Sequence, residues 1–281
     1  MESVTRSAWQ QCGSPADPTL DLVSWGVPFR LAAESPSLLS QMSKAAPFGS
    51  SPWRSLPAGA RSFTLRTVQP ETRFQILGDR ELLAEEETLD GALAQLSGCL
   101  ILHVAEHAPD YVFVHAGVVA WQDRALILPG VSFAGKSTLV AELVRAGATY
   151  YSDEFALIDG DGRVHPFPRD LRMRRPGRTE QTPVPIEQLR GHAGTAAVPV
   201  SLVVFTEFAE GGRWAPEPLT PGRAALEMLL HATPVQRTPA RVMATFSTIM
   251  RRATAWRSPR GEAAAAAASL LSALTAGGAL A

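Results

Sequence analysis

A chain of 281 residues with 46% hydrophobic and 19% charged side chains can bury one large core or two small ones and has an ordinary globular make-up. No apolar run approaches the roughly 20 residues that a membrane helix needs, and the start lacks the basic and apolar stretches of a secretory signal. Cys12 and Cys99 stand alone, which argues against a disulfide framework or a cysteine zinc site, so a cytoplasmic protein with no membrane partner is expected.

The net charge of −1 hides an asymmetry. Residues 1–162 hold 11 Lys and Arg against 19 Asp and Glu, whereas residues 163–260 hold 15 Arg against 7 acids. The basic half suits nucleotide phosphates or an acidic partner, and equally a solvated surface; no nucleic-acid partner is expected. Only two lysines, Lys44 and Lys136, stand against 24 arginines. A lysine kept in so arginine-biased a chain points to a place where a compact ammonium fits and a planar guanidinium does not.

Residues 1–60 are rich in Pro, Ser and Gly and predict short strands and loops. Partial alternation over 61–77 predicts two strands interrupted by Pro70. Leu89, Ala92, Leu93, Leu96, Leu100 and Val104 recur at helical spacing, so 88–107 predicts a helix. From 111 onward the pattern is strand YVFVHAGVVAW, a tight turn at Gln122-Asp123, strand ALILP, a loop, a helix from 137 closed by Gly147, strand ATYYS, and a hairpin through DGDG. PVSLVVFTEF (199–208) predicts a buried strand. Thr220-Pro221 and Thr238-Pro239 each predict a helix start, with Thr as N-cap and Pro at the first helical position. In the second, Val242, Met243, Phe246, Ile249, Ala253 and Trp256 form one apolar stripe. An alanine-rich helix follows over 262–275.

Residues 130–138, GVSFAGKST, fit G-x-x-x-x-G-K-[ST], with an apolar strand before and an amphipathic helix after. Gly130 and Gly135 allow the tight turn, and the N–H groups of Val131, Ser132, Phe133, Ala134 and Thr138 would line a phosphate cradle. Lys136 would neutralise the β- and γ-phosphates of ATP, and Ser137 would bind Mg²⁺ through its hydroxyl. Asp153-Glu154 ends the next strand, where a carboxylate can hold Mg²⁺ or take a proton from an attacking hydroxyl. His115 lies within an apolar strand, either as a satisfied core residue or as a partner for a catalytic carboxylate. Arg169, Arg172, Arg174 and Arg175 in PFPRDLRMRR offer phosphate contacts or a solvated face.

Taken together, His115-Ala116-Gly117, GVSFAGKST, YYSDE and HPFPRDLRMR resemble the catalytic domain of HPr kinase/phosphorylase, and more closely its HPr-kinase-related relatives among serine kinases, including those of biosynthetic clusters. The resemblance covers roughly 110–175, with a similar layout to about 275; residues 1–85 do not share it. It implies an α/β fold with a P-loop-bearing mixed sheet, as in phosphoenolpyruvate carboxykinases, flanked by C-terminal helices. It implies ATP and Mg²⁺ at 130–138, Asp153 as base toward a serine hydroxyl, and His115 interacting with the Asp153–Glu154 pair. Phe133 stands where HPr kinases carry another glycine, Glu154 stands in place of a second aspartate, and the segment serving phosphorylase activity and HPr docking is not found.

The resulting expectation is a β-rich element over 1–85 and a nucleotide-binding domain over 86–281. The expected activity is an ATP-dependent kinase acting on a serine of a peptide or small protein, with a homo-oligomer left open. The competing expectation is an ATP-binding sensor or assembly module that transfers nothing.

Overall fold

The computed structural model describes residues 17–69, 73–130, 135–174 and 181–277. It is mixed α/β and divides into two compact units, one ending at Val104 and the other beginning at Ala105.

The first unit holds β1 (Thr19–Ser24), β2 (Val27–Ala33), α1 (Pro36–Lys44), β3 (Ser51–Pro52), β4 (Arg61–Val68), β5 (Arg73–Gly78), β6 (Glu81–Glu86) and most of α2 (Leu89–His107). The strands form one sheet in the order β3-β1-β2-β4-β5-β6, antiparallel except for the β2–β4 pair. Alternation buries Phe29, Leu31, Phe63 and Leu65. The His103 ring of α2 stands 5.5 Å from Phe63, so this helix closes the sheet's core. The two compact units meet within α2, at Val104 and Ala105.

Helix α1 replaces the loop expected within 1–60. The Ser35 hydroxyl accepts from Leu38 N at 3.2 Å and Pro36 follows, the same Ser/Thr-Pro start that was read at 220 and 238. Pro70 lies outside the described residues.

The second unit begins with the end of α2 and continues through β7 (Tyr111–Trp121), β8 (Arg124–Pro129), α3 (Lys136–Arg145), β9 (Thr149–Ser152), β10 (Phe155–Asp159), β11 (Arg163–His165), β12 (Leu171–Arg174) and β13 (Gln181–Val184). β14 (Val198–Phe208), β15 (Glu217–Pro218), α4 (Pro221–Leu229), α5 (Pro239–Met250), β16 (Thr254–Arg260) and α6 (Ala263–Thr275) complete it. Eight strands form a mixed sheet in the order β11-β10-β7-β8-β14-β16-β15, with β9 also on β7 and β11 also on β14. β12 and β13 pair separately.

Both faces of this sheet are covered, which explains its unbroken apolar runs. Ile127, Val203 and Phe205 pack with Ala224, Met228, Val242 and Phe246 of α4 and α5. Leu126, Leu128, Leu202 and Val204 pack with Leu139, Val140, Leu270 and Leu274 of α3 and α6. β8 and β9 lie in one sheet on opposite sides of β7, with α3 between them in sequence, as expected. The stripe read through Trp256 overruns its helix: α5 stops at Met250, and Trp256 is a buried residue of β16. The Thr238 side chain does not cap α5 but donates to Pro234 O at 3.3 Å.

Candidate functional site

Strand β7 is long enough to change partners, and this change builds the site. β10 pairs with Tyr111–His115, and β9 pairs with Val118–Ala120 on the same edge. Asp153 and Glu154 form the bend between these two partners, tied to β7 where Ala116 N donates to Glu154 O at 3.1 Å. The buried Ser152 hydroxyl fixes the bend by accepting from Glu154 N at 3.2 Å and Phe155 N at 3.0 Å.

On the other edge of β7, Gly130 N donates to His115 O at 3.3 Å, directly after β8 ends. Gly135 then takes a left-handed φ of 78° and opens α3. Lys136 is only 8% exposed, and its Nζ donates to Gly130 O at 2.8 Å, folding the ammonium back over the loop. Val131, Ser132, Phe133 and Ala134 lie outside the described residues, so the cradle is defined here by its two ends. Ser137 is partly buried and Thr138 exposed.

Asp153 faces these ends. Burial raises its pKa to about 6, opposed by the Ser137 hydroxyl and then by the Lys136 charge, while Glu154 pushes it further up. Its Oδ1 is buried with no hydrogen-bond partner among the described residues. Burial holds the Lys136 pKa below the ordinary lysine value against the pull of Asp153. Gly117 makes the approach possible: a Cβ there would lie 2.6 Å from Val140 Cγ2 of α3 and 3.7 Å from Asp153 Oδ1.

Glu154 is placed differently. It pairs with Arg169, whose carbonyl accepts from Tyr150 Oη at 2.7 Å. The arginine segment therefore contributes Arg169 to the site and leaves Arg172 exposed on β12. The side chain of Arg174 and all of Arg175 lie outside the described residues.

The resemblance implies His115 beside the acidic pair, but the charges acting on its ring are those of Lys136 and His231. Burial first, and then these two charges, depress its pKa to about 4, so it is neutral at pH 7. The ring lies 6.0 Å from Phe155. His231 was not singled out in the sequence; it reaches the site because its carbonyl accepts from His115 N at 2.8 Å and Ala232 bridges to Val114. Nothing in the local pattern of LLHATP marks it.

A cavity of about 520 Å³ opens beside Gly130, at the ends of the parallel strands β8, β14 and β16. Thr206, Phe208, Leu230, His231 and Arg257 line it, and Arg257 pairs with Glu227. The Thr206 Oγ1 is buried without a hydrogen-bond partner among the described residues. The volume falls within the roughly 300–1,000 Å³ of small-ligand sites.

Among the described residues no three His, Cys, Asp or Glu side chains gather into a metal cluster. The orphaned Asp153 Oδ1 and the nearby Ser137 hydroxyl suit a Mg²⁺ ion, which takes one or two protein oxygens and completes its shell with phosphate and water. No helix among the described residues is long and apolar enough to cross a membrane. Compared with models of known protein families and with curated proteins, the chain matches none.

Proposed function

We propose that this protein is an ATP-dependent kinase of the HPr-kinase-like P-loop type, transferring the γ-phosphoryl group to a hydroxyl. One observation carries the reading: Asp153, a partly buried carboxylate with its Oδ1 enclosed, interacts with the serine and lysine that open α3 after a glycine-bounded loop. Free N–H groups at a helix start attract phosphate, and Lys136 adds a full charge there. Mg²⁺, held by Ser137 and Asp153, would offset charge on the phosphate oxygens.

The acceptor enters through the cavity beside Gly130. Lys136 is tethered at Gly130 O, which lines this cavity, and this supports placing the β/γ end of the phosphate chain on this side. As the acceptor oxygen bonds to the γ-phosphorus, the bond to the bridging oxygen breaks and ADP departs. Asp153 takes the hydroxyl proton. In the metal-free site burial raises the pKa of this carboxylate to about 6, so it is ionised at pH 7 and free to accept a proton or a cation. Positioning and electrostatics suffice for such a transfer. The acceptor is a serine of a peptide or small protein.

A second reading, a nucleotide-binding module without transfer, is favoured by His115, whose ring is acted on by the charges of Lys136 and His231. Incubation with γ-labelled ATP, Mg²⁺ and peptides encoded beside the gene separates the two. Label on peptide supports the kinase. Tight ATP binding without turnover supports the module, and no ATP binding removes both.

A further inference from the structure

One buried charge of the second unit has no part in the mechanism above. Arg260 ends β16 and is only 2% exposed. Its Nη2 donates to Gly135 O at 2.6 Å and its Nη1 to Gly261 O at 3.0 Å. The guanidinium carbon stands 5.7 Å from the centre of the Phe208 ring. Nε is buried with no partner among the described residues, and no carboxylate there forms an ion pair with the group. Glu262, two residues on, acts on it through space alone. A buried cation without a counter-ion is costly, and this one is set against the positive end of a helix, which raises the cost. An anion at the start of α3 would relieve both.

The bond to Gly135 also has a directional consequence. In a trans peptide the carbonyl and the following N–H point opposite ways. Holding the Gly135 carbonyl, which also accepts from Leu139 N at 3.2 Å, turns the Lys136 N–H away from Arg260. The first N–H groups of a helix have no partner within it and form its anion site. Only glycine fits this arrangement, because a Cβ at 135 would lie 2.4 Å from Arg260 Nη2.

We propose that Arg260 is a positioning residue for a bound polyphosphate: through Gly135 it aims the Lys136 N–H at the phosphates, and its unpaired charge is balanced when they bind. This inference rests on the nucleotide reading of the 130–138 loop. Its test is a titration of the full chain with ATP and, separately, with tripolyphosphate, at several salt concentrations, with melting followed with and without ligand.

Arg260→Met should weaken both ligands at least tenfold and flatten the dependence of affinity on salt, because one interacting charge is gone. The melting temperature of the ligand-free protein should hold or rise. Arg260→Lys should give intermediate affinity with the salt dependence retained. If the Met variant does not fold, the Lys variant decides: weaker binding supports the proposal, and binding equal to wild type overturns it. A folded Met variant that binds within twofold of wild type overturns it as well, whatever its melting temperature. Lys136→Ala, run alongside, tells the two failures apart. If it loses ATP while Arg260→Met does not, this inference alone falls. If the wild-type protein binds neither ligand, the nucleotide reading falls and takes the inference with it.

Discussion

The two units manage their charges in opposite ways. In the first, guanidinium groups meet carboxylates at the surface: Arg30 reaches Asp21 at 2.7 Å and Arg73 reaches Glu85 at 3.0 Å. Both pairs are at least partly exposed, where such pairs add little to stability. In the second unit Lys136 and Arg260 are buried, and Asp153 Oδ1 has no hydrogen-bond partner among the described residues. Lys136 Nζ donates to the Gly130 carbonyl and feels the Asp153 charge, and the Arg260 guanidinium donates to the carbonyls of Gly135 and Gly261. Buried ionisable groups cluster at functional sites more often than surface pairs do, so burial is a sharper pointer than charge count. The basic excess over 163–260 points to the same half of the chain but to none of these residues except Arg260.

The comparison breaks most visibly at Asp153. Asp153→Asn keeps the volume and removes the base, so transfer should fall by about 10²–10⁴-fold with ATP affinity nearly unchanged. Labelled-ATP turnover and a binding titration read the two separately, and full turnover in the variant would make Asp153 a bystander. Lys136→Ala should weaken ATP binding by about 1.5–3 kcal/mol, the worth of one charged hydrogen bond, measured by the same titration. Equal binding in a folded variant would remove the phosphate role of the loop.

Gly117→Ala sharpens the geometric side. The new methyl meets Val140 Cγ2 at 2.6 Å, so α3 must shift from β7. We expect a loss of about 1–3 kcal/mol in denaturant unfolding, together with weaker transfer as Asp153 and Ser137 separate.

The pH dependence tests the buried charges without any ligand. In metal-free buffer the raised Asp153 pKa means that the native state holds its proton more firmly than the unfolded state between about pH 4 and 6. Its contribution is full below that window and is lost as pH rises through 6. His115, depressed to about 4, behaves oppositely: its contribution is full above about 6.5 and is lost as pH falls through 4. Asp153→Asn should therefore unfold later than wild type at pH 8, by on the order of 2 kcal/mol because the residue keeps some solvent contact, and the gain should vanish below pH 4. Melting curves across this range check it, and a gain that does not change with pH would mean Asp153 is not the titrating group. The smallest effect lies in the first unit. Ser35→Ala removes the α1 cap and should cost about 1 kcal/mol of that unit's stability while ATP affinity stays put.

Much of the second unit was readable along the chain. Alternation and apolar runs marked β7, β8 and β14, and the glycine spacing marked the loop between β8 and α3, because these signals are local. The misses share a cause. α1 hid in a stretch rich in Pro and Ser although Ser35-Pro36 follows the rule applied at 220 and 238. β16 was absorbed into the preceding helix because Trp256 continues an apolar spacing that α5 itself abandons at Met250. His231 and Arg260 carry no local mark at all, since what makes them notable is the partner each meets more than 100 residues away in sequence.

The sequence by itself determined which segments are strand and helix around the loop, and which side chains could bind phosphate, because periodicity, caps and glycine spacing act within a few residues. The tertiary structure alone decided which of those side chains share one place. β7 changes partners at Ser152 and so turns Asp153 toward Ser137 and Lys136 while Glu154 goes to Arg169. Register brings Arg260 level with Phe208 and against Gly135. Burial, which shifts the pKa of Asp153, His115 and Lys136, belongs to packing among distant segments and is written in no single stretch of chain.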